Sequence, residues 1–131
     1  MVKKLIYMRF TGLSPVLYTH DIPGSVTFYR DVLGFVVDSF IEGKGWASVS
    51  RDDVTVMFSV PNEHVAFIGP TFTGSFYIDV DDVDAMWEKV RNKARECYLI
   101  DNFNYGMREF AIYDNNGYLL RFGSEIPSTL S

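Results

Sequence analysis

The sequence predicts an α+β fold written twice: strand, aspartate-capped helix, strand and hairpin, and then the same order again. Three observations carry this prediction. The stretch 105–122, YGMREFAIYDNNGYLLRF, alternates apolar and polar residues on either side of Asn115-Asn116-Gly117, as a hairpin does. Asp21 and Asp82 each precede an apolar stripe of helical spacing. Residues 16–60 and 76–122 then follow one order of elements across a connector with two prolines and two glycines. One helix and four strands cannot bury a sheet alone, so the halves are expected to pack together. The expected layout is a single domain over 1–131, with module one at about 13–61, a connector at 62–73 and module two at about 74–124.

Taken in order, residues 3–10, KKLIYMRF, form a strand or an arm. Pro15 to His20 alternates, with Pro15, Leu17 and Thr19 on one face and Ser14, Val16, Tyr18 and His20 on the other. Asp21 then caps a helix with Pro23 in its first turn and the stripe Ile22, Val26, Tyr29, Val32 and Leu33; Phe28 widens it, and Gly34 ends it. Residues 35–40 begin a strand. Trp46–Ser50 and Val54–Val60 form a hairpin around Arg51-Asp52-Asp53, which puts Trp46 on the apolar face with Val56 and Phe58. In the second half, Phe76, Ile78 and Val80 alternate with Ser75, Tyr77 and Asp79. Asp82 caps the stripe Val83, Met86, Trp87 and Val90, and a strand resumes at Cys97–Ile100.

The last hairpin sets the register of the most informative face. A three-residue loop, Asn115-Asn116-Gly117, pairs Ile112 with Leu120 and Phe110 with Phe122, one wholly apolar face. The other face carries Glu109, Ala111, Tyr113, Leu119 and Arg121. Arg121 then lies opposite Ala111 and diagonal to Glu109, within reach of an ion pair.

Composition narrows the function. Apolar content of 47% and charged content of 22% suit a globular protein, and no apolar run is long enough to span a bilayer. The opening residues hold Arg9 and lack a small-residue cleavage site, which reads as mature chain. A lone Cys97 gives no internal disulfide and suits a reducing compartment, taken as the cytoplasm. A net charge of −5, with no basic patch, argues against nucleic acid and anionic membrane. It agrees with a cationic ligand. His20 and His64 read as cap or surface histidines, Trp46 and Trp87 as core, and Asp52-Asp53 and Asp81-Asp82 as turn and cap.

The segments DIPGSVTFYRDVLGF, FYIDVDDVDAMWEKV and YGMREFAIYDNNGYLLRFG resemble the vicinal oxygen chelate superfamily, the group of glyoxalase I, extradiol dioxygenases and bleomycin-resistance proteins. The resemblance runs from about Leu13 to Gly123. It implies two βαβββ modules whose mixed sheets curl around a cleft, and commonly a homodimer. Metal-dependent members place ligands on the cleft side of the first and last strand of each module. Here those places hold Ser14 and Ser75, seven residues before each capping aspartate, and Met57 and Arg121. That set is unsuited to a divalent ion, so no metal and no other cofactor is expected.

On this reading the chain is closest in character to metal-free bleomycin-resistance-like members. It would sequester a small cationic or aromatic molecule in the cleft without making or breaking a bond. The expected ligand-binding residues are Tyr18, Tyr77, Asp79, Tyr105, Met107, Glu109, Tyr113 and Arg121, with the connector as a lid. A metal-dependent enzyme of the glyoxalase or dioxygenase type is one alternative; a structural or regulatory homodimer with a filled cleft is the other. The apolar LIYMRF segment, residues 5–10, is the expected dimer arm.

Overall fold

The structure, a computed structural model, describes residues 8–64 and 66–127. Module one runs β1 (Val16–Tyr18), α1 (Ile22–Asp31), β2 (Val36–Phe40), β3 (Trp46–Arg51) and β4 (Val54–Ser59). Module two repeats the order as β5 (Phe76–Asp79), α2 (Val83–Val90), β6 (Arg95–Asn102), β7 (Met107–Tyr113) and β8 (Leu119–Glu125). Each module forms its own four-stranded sheet, in the orders β1-β4-β3-β2 and β5-β8-β7-β6. The first and last strands of each are parallel and the other pairs antiparallel. The fold is α+β, as expected, but its mixed sheets are two and neither closes.

Both helices begin where their aspartates dictate. The Asp21 and Asp82 side chains accept from the backbone N–H groups of Gly24 and Ala85, satisfying first-turn donors that the helix cannot. The stripes face inward: Ile22, Val26, Tyr29 and Leu33 are buried on one side, and Val83, Met86, Trp87 and Val90 on the other. These pack with Leu17, Val49, Val56 and Phe58 of the first sheet and Phe110, Ile112, Leu120 and Phe122 of the second in one continuous core. The two modules therefore share the apolar face of each sheet, and the opposite face of each sheet points away from that core.

The hairpin registers decide what lies on those outer faces. Between β7 and β8 the pairs are Phe110 with Phe122, Ala111 with Arg121 and Ile112 with Leu120, and Gly117 takes a φ of 100°. This is the register that a loop at Asn115-Asn116-Gly117 requires. Between β3 and β4 the structure corrects the sequence reading. Arg51 pairs with Val54 across a two-residue turn, Asp52-Asp53, with Asp52 at a φ of 51°. Counting Arg51 into the loop shifts the register by one and flips every β3 side chain. In the structure Ala47 and Val49 enter the core, while Trp46 pairs with Ser59 on the outer face and is 40% exposed. Trp87 is core, as expected.

The tip of the β7–β8 hairpin clasps module one. One oxygen of Asp114 accepts from the backbone N–H groups of Asn116, Gly117 and Tyr118 at 2.8, 3.0 and 2.9 Å, fixing the turn. Its other oxygen accepts from the buried Tyr29 hydroxyl at 2.7 Å. Thr19 donates to Asn116, Asn116 to Ser25, and Tyr118 to the Tyr18 carbonyl.

The described part of the 61–74 connector holds neither helix nor strand. It lies against the ends of β1 and β5: His20 donates to the Phe67 carbonyl at 2.8 Å, and Phe72 stacks on Phe76 at 5.1 Å. Of the expected arm, residues 5–7 lie outside the described residues, while Met8 and Phe10 are exposed. No helix among the described residues is long and apolar enough to cross a membrane.

Candidate functional site

Across the outer face of the second sheet, one row of side chains meets at a single level. The register aligns Tyr77 of β5 with Arg121 of β8, Arg121 with Ala111 of β7, and Ala111 with Tyr98 of β6. Ala111 is small enough to let Arg121 and Tyr98 lean over it toward Glu109, one step along β7. Opposite Glu109 stands Gly123, and its missing side chain matters. A Cβ there would lie 2.0 Å from the Tyr77 hydroxyl oxygen, so only glycine lets that phenol reach across β8.

Glu109 is the centre of the cluster and has no solvent exposure. Its Oε1 accepts from the Tyr77 hydroxyl at 2.9 Å. Its Oε2 accepts from Arg121 Nη2 at 2.9 Å, from Arg121 Nε at 3.2 Å, and from the Tyr98 hydroxyl. The expected Glu109–Arg121 ion pair is thus present, with the carboxylate sealed and the guanidinium partly open. Arg121 also sits 4.8 Å over the Tyr77 ring and donates from Nη2 to the Tyr105 hydroxyl at 3.2 Å. Its Nη1 has no partner among the described residues. Tyr105, 54% exposed, stacks on Phe103 at 5.7 Å, and Phe103 meets Tyr98 edge to face.

These contacts fix the charge states. Burial alone would raise the pKa of Glu109, but the hydroxyls of Tyr98, Tyr105 and Tyr77 and the Arg121 guanidinium around it outweigh that and hold the carboxyl below its ordinary range. Burial and the neighbouring carboxylate push the Tyr98 phenol up to about 12, and Tyr77 rises for the same reasons. The hydrogen bond to Glu109 raises Arg121 further. At neutral pH the cluster is one carboxylate, one guanidinium and three protonated phenols. It is a preorganised polar platform rather than an acid–base pair.

The expected site residues divide. Tyr77, Tyr105, Glu109 and Arg121 come together, and Met107 lies half-buried two residues from Glu109 on the same face. Asp79 shares the parity of Tyr77, yet it stays exposed and joins none of these bonds. Tyr113 is at the far end of β7, under the Arg95 guanidinium at 4.1 Å and donating to Cys97 Sγ at 3.5 Å. Tyr18 belongs to the first sheet, where its ring meets Phe67 edge to face. Tyr98 and Phe103 are additions that alternation did not reveal. Register shifts between Glu96 and Tyr98 and again before Asp101 scramble the parity of β6.

The donor set does not fit a divalent ion. Arg121 places a permanent cation at one ligand position and is already bonded to Glu109. Met57, opposite Val16, offers only a thioether, and Ser14 and Ser75 offer neutral hydroxyls. Among the described residues no three His, Cys, Asp or Glu side chains converge as metal ligands.

The two-module βαβββ fold defines the class of protein. The model of the glyoxalase/bleomycin resistance protein/dioxygenase superfamily matches residues 12–122, and the chain belongs to that superfamily. Among solved structures, the bleomycin-binding protein of bleomycin-producing Streptomyces verticillus, complexed with copper(II)-bleomycin, is 27% identical. It has a TM-score of 0.70, with 92% of this chain and all (100%) of that one covered. A glyoxalase/bleomycin resistance protein/dioxygenase from Nocardioides superposes at 0.75 with 17% identity, over 95% of this chain and 89% of the other. TioX from Micromonospora sp. ML1 superposes at 0.72 with 19% identity, over 89% and 100%. These last two likenesses are of fold. No curated protein matches the chain in sequence.

Proposed function

We propose that the chain binds a small molecule on the outer face of its second sheet and holds it without metal and without chemistry. Superfamily membership and the likeness to a bleomycin-binding protein support a ligand-binding role. The observation that carries the finer reading is the state of Arg121. It stands where metal-dependent members carry a glutamate, it is pinned by a sealed Glu109, and it keeps Nη1 uncommitted beside the exposed Tyr105 ring. An aromatic body would stack on Tyr105, and an acceptor group on the ligand would take Nη1. No residue of the cluster is poised to give up or take a proton near neutrality, which favours holding over catalysis.

The reading extends to a homodimer. The outer face of the first sheet exposes Val16, Tyr18 and Trp46, and a second copy is the proposed cover for it. A thermal-shift screen of aromatic and cationic compounds, run with and without a chelator, tests the binding. A ligand should raise the melting temperature of the wild type equally in both conditions and that of Tyr105→Ala much less. About one divalent metal per chain by elemental analysis would transfer the reading to the enzyme alternative. Light scattering at the mass of one chain across micromolar concentrations would remove the dimer.

A further inference from the structure

A second feature lies at the seam between the modules, on the core side of both sheets. A crevice of about 440 Å³ opens there, walled by Leu33, Phe35, Val54, Ile78, Met86 and Phe122. Its volume falls within the roughly 300–1,000 Å³ of small-molecule sites, and both modules contribute to its wall. None of Tyr77, Tyr98, Tyr105, Glu109 and Arg121 lines it.

The charges around it are not matched. At one end, Arg51 from module one and Lys89 from module two converge on the C-terminal end of α1. A Cβ on Gly34 would lie 2.9 Å from Lys89 Nζ and 3.0 Å from Arg51 Nη1. Arg51 Nη1 donates to the Leu33 carbonyl at 2.7 Å, and neither cation forms an ion pair among the described residues. The helix terminus offers them only about half an elementary charge, so two full positive charges stand close together undercompensated. The rest of the lining holds Asp52, Asp53, Asp79, Asp81 and Asp82. Only Asp82 is engaged, as the α2 cap, and none of the five pairs with Arg51 or Lys89.

Each simple ligand class leaves part of this unsatisfied. An anion would answer Arg51 and Lys89 but meet the aspartates. A cation would answer the aspartates and leave the two bases facing each other. We propose that the crevice is a second binding site, for a small zwitterion with an apolar body, in the class of the hydrophobic amino acids. The acid group sits between Arg51 and Lys89, the body lies on Phe35, Ile78 and Met86, and the ammonium group faces Asp53 on the β3–β4 turn. Charge-assisted bonds at both ends are the stronger kind, and the apolar wall supplies the burial.

Three isosteres separate the contributions: L-phenylalanine, phenethylamine without the acid, and 3-phenylpropionate without the amine. Saturation-transfer NMR titrations against the full chain give the three affinities. Phenylalanine should bind several-fold tighter than either of the others. Arg51→Gln/Lys89→Gln should erase that advantage and leave phenethylamine unchanged; Lys89→Gln alone, at an exposed side chain, should reduce it in part. Tyr105→Ala should leave the advantage of phenylalanine over its two isosteres intact, which keeps this site separate from the outer-face proposal. The inference is overturned if phenylalanine binds no tighter than its isosteres, or if its binding survives the double substitution. It is equally overturned if Tyr105→Ala, and not the double substitution, removes the advantage of phenylalanine over its isosteres.

Discussion

Glu109 and Arg121 show what a charge costs inside a protein and what offsets that cost. A sealed carboxylate is tolerable only because three hydroxyl or guanidinium partners surround it. Glu109→Gln leaves Arg121 without its counterion, and Arg121→Met leaves Glu109 without its cation. Each single change should cost about 3 kcal/mol in denaturant unfolding, while the double change should cost clearly less than the two together. Simple additivity would mean that the two residues are not coupled. Titration adds a second check. Because Glu109 is depressed in the folded state, it stabilises the protein above the ordinary carboxyl pKa of about 4.3, and that contribution fades as pH falls through the folded value. Asp114 runs the other way, since burial raises its pKa and protonation relieves it. The quantity to follow is therefore the stability of wild type minus Glu109→Gln, which should shrink with acid. A difference that stays flat from pH 7 to pH 2 would contradict the assignment.

Among the elements, the hairpins explain both what was legible and what was not. The β7–β8 register could be read because an Asn-Asn-Gly loop and four apolar residues agree on one answer, and Glu109 and Arg121 followed from it. The β3–β4 turn resisted because Asp52 takes the positive φ that is usually left to glycine, which no neighbouring residue announces. Trp46 was misplaced as a result. Tyr98 was hidden differently: strand alternation cannot cross a bulge whose position the sequence does not mark. The clasp was half-visible, since Asp114-Asn115-Asn116-Gly117 reads as a turn but not as a partner of Tyr29. Tyr29→Phe removes one buried hydroxyl and should cost about 1 kcal/mol. Asp114→Ala also strands three backbone donors and that phenol, and should cost about 3 kcal/mol or more by chemical denaturation. Equal effects would show that the turn holds its shape without the carboxylate.

At the scale of the molecule, the shared core and the clasp should make the two sheets unfold as one cooperative body. The chain carries two tryptophans, exposed Trp46 in the first module and buried Trp87 in the second, so each module has its own reporter. Trp46→Phe and Trp87→Phe leave one signal each. Each variant's fluorescence should trace the same midpoint as its own circular dichroism, with no plateau between native and unfolded chain. Two separated transitions would mean that the modules fold independently and that the seam is a contact rather than a core.

Arg121 also limits what its own position can accept. A glutamate placed at this position would set two carboxylates side by side in a buried cluster, with Glu109 already spoken for by Tyr77 and Tyr98. Like charges so placed cannot both ionise, and such a variant would be less stable than the present chain. A carboxylate at 121 is tolerable only once Glu109 has been replaced, and a loss of Glu109 alone strands Arg121. The ion pair thus resists piecemeal substitution, and the rim of the cluster, at Tyr105 and Phe103, tolerates change far more readily than its centre.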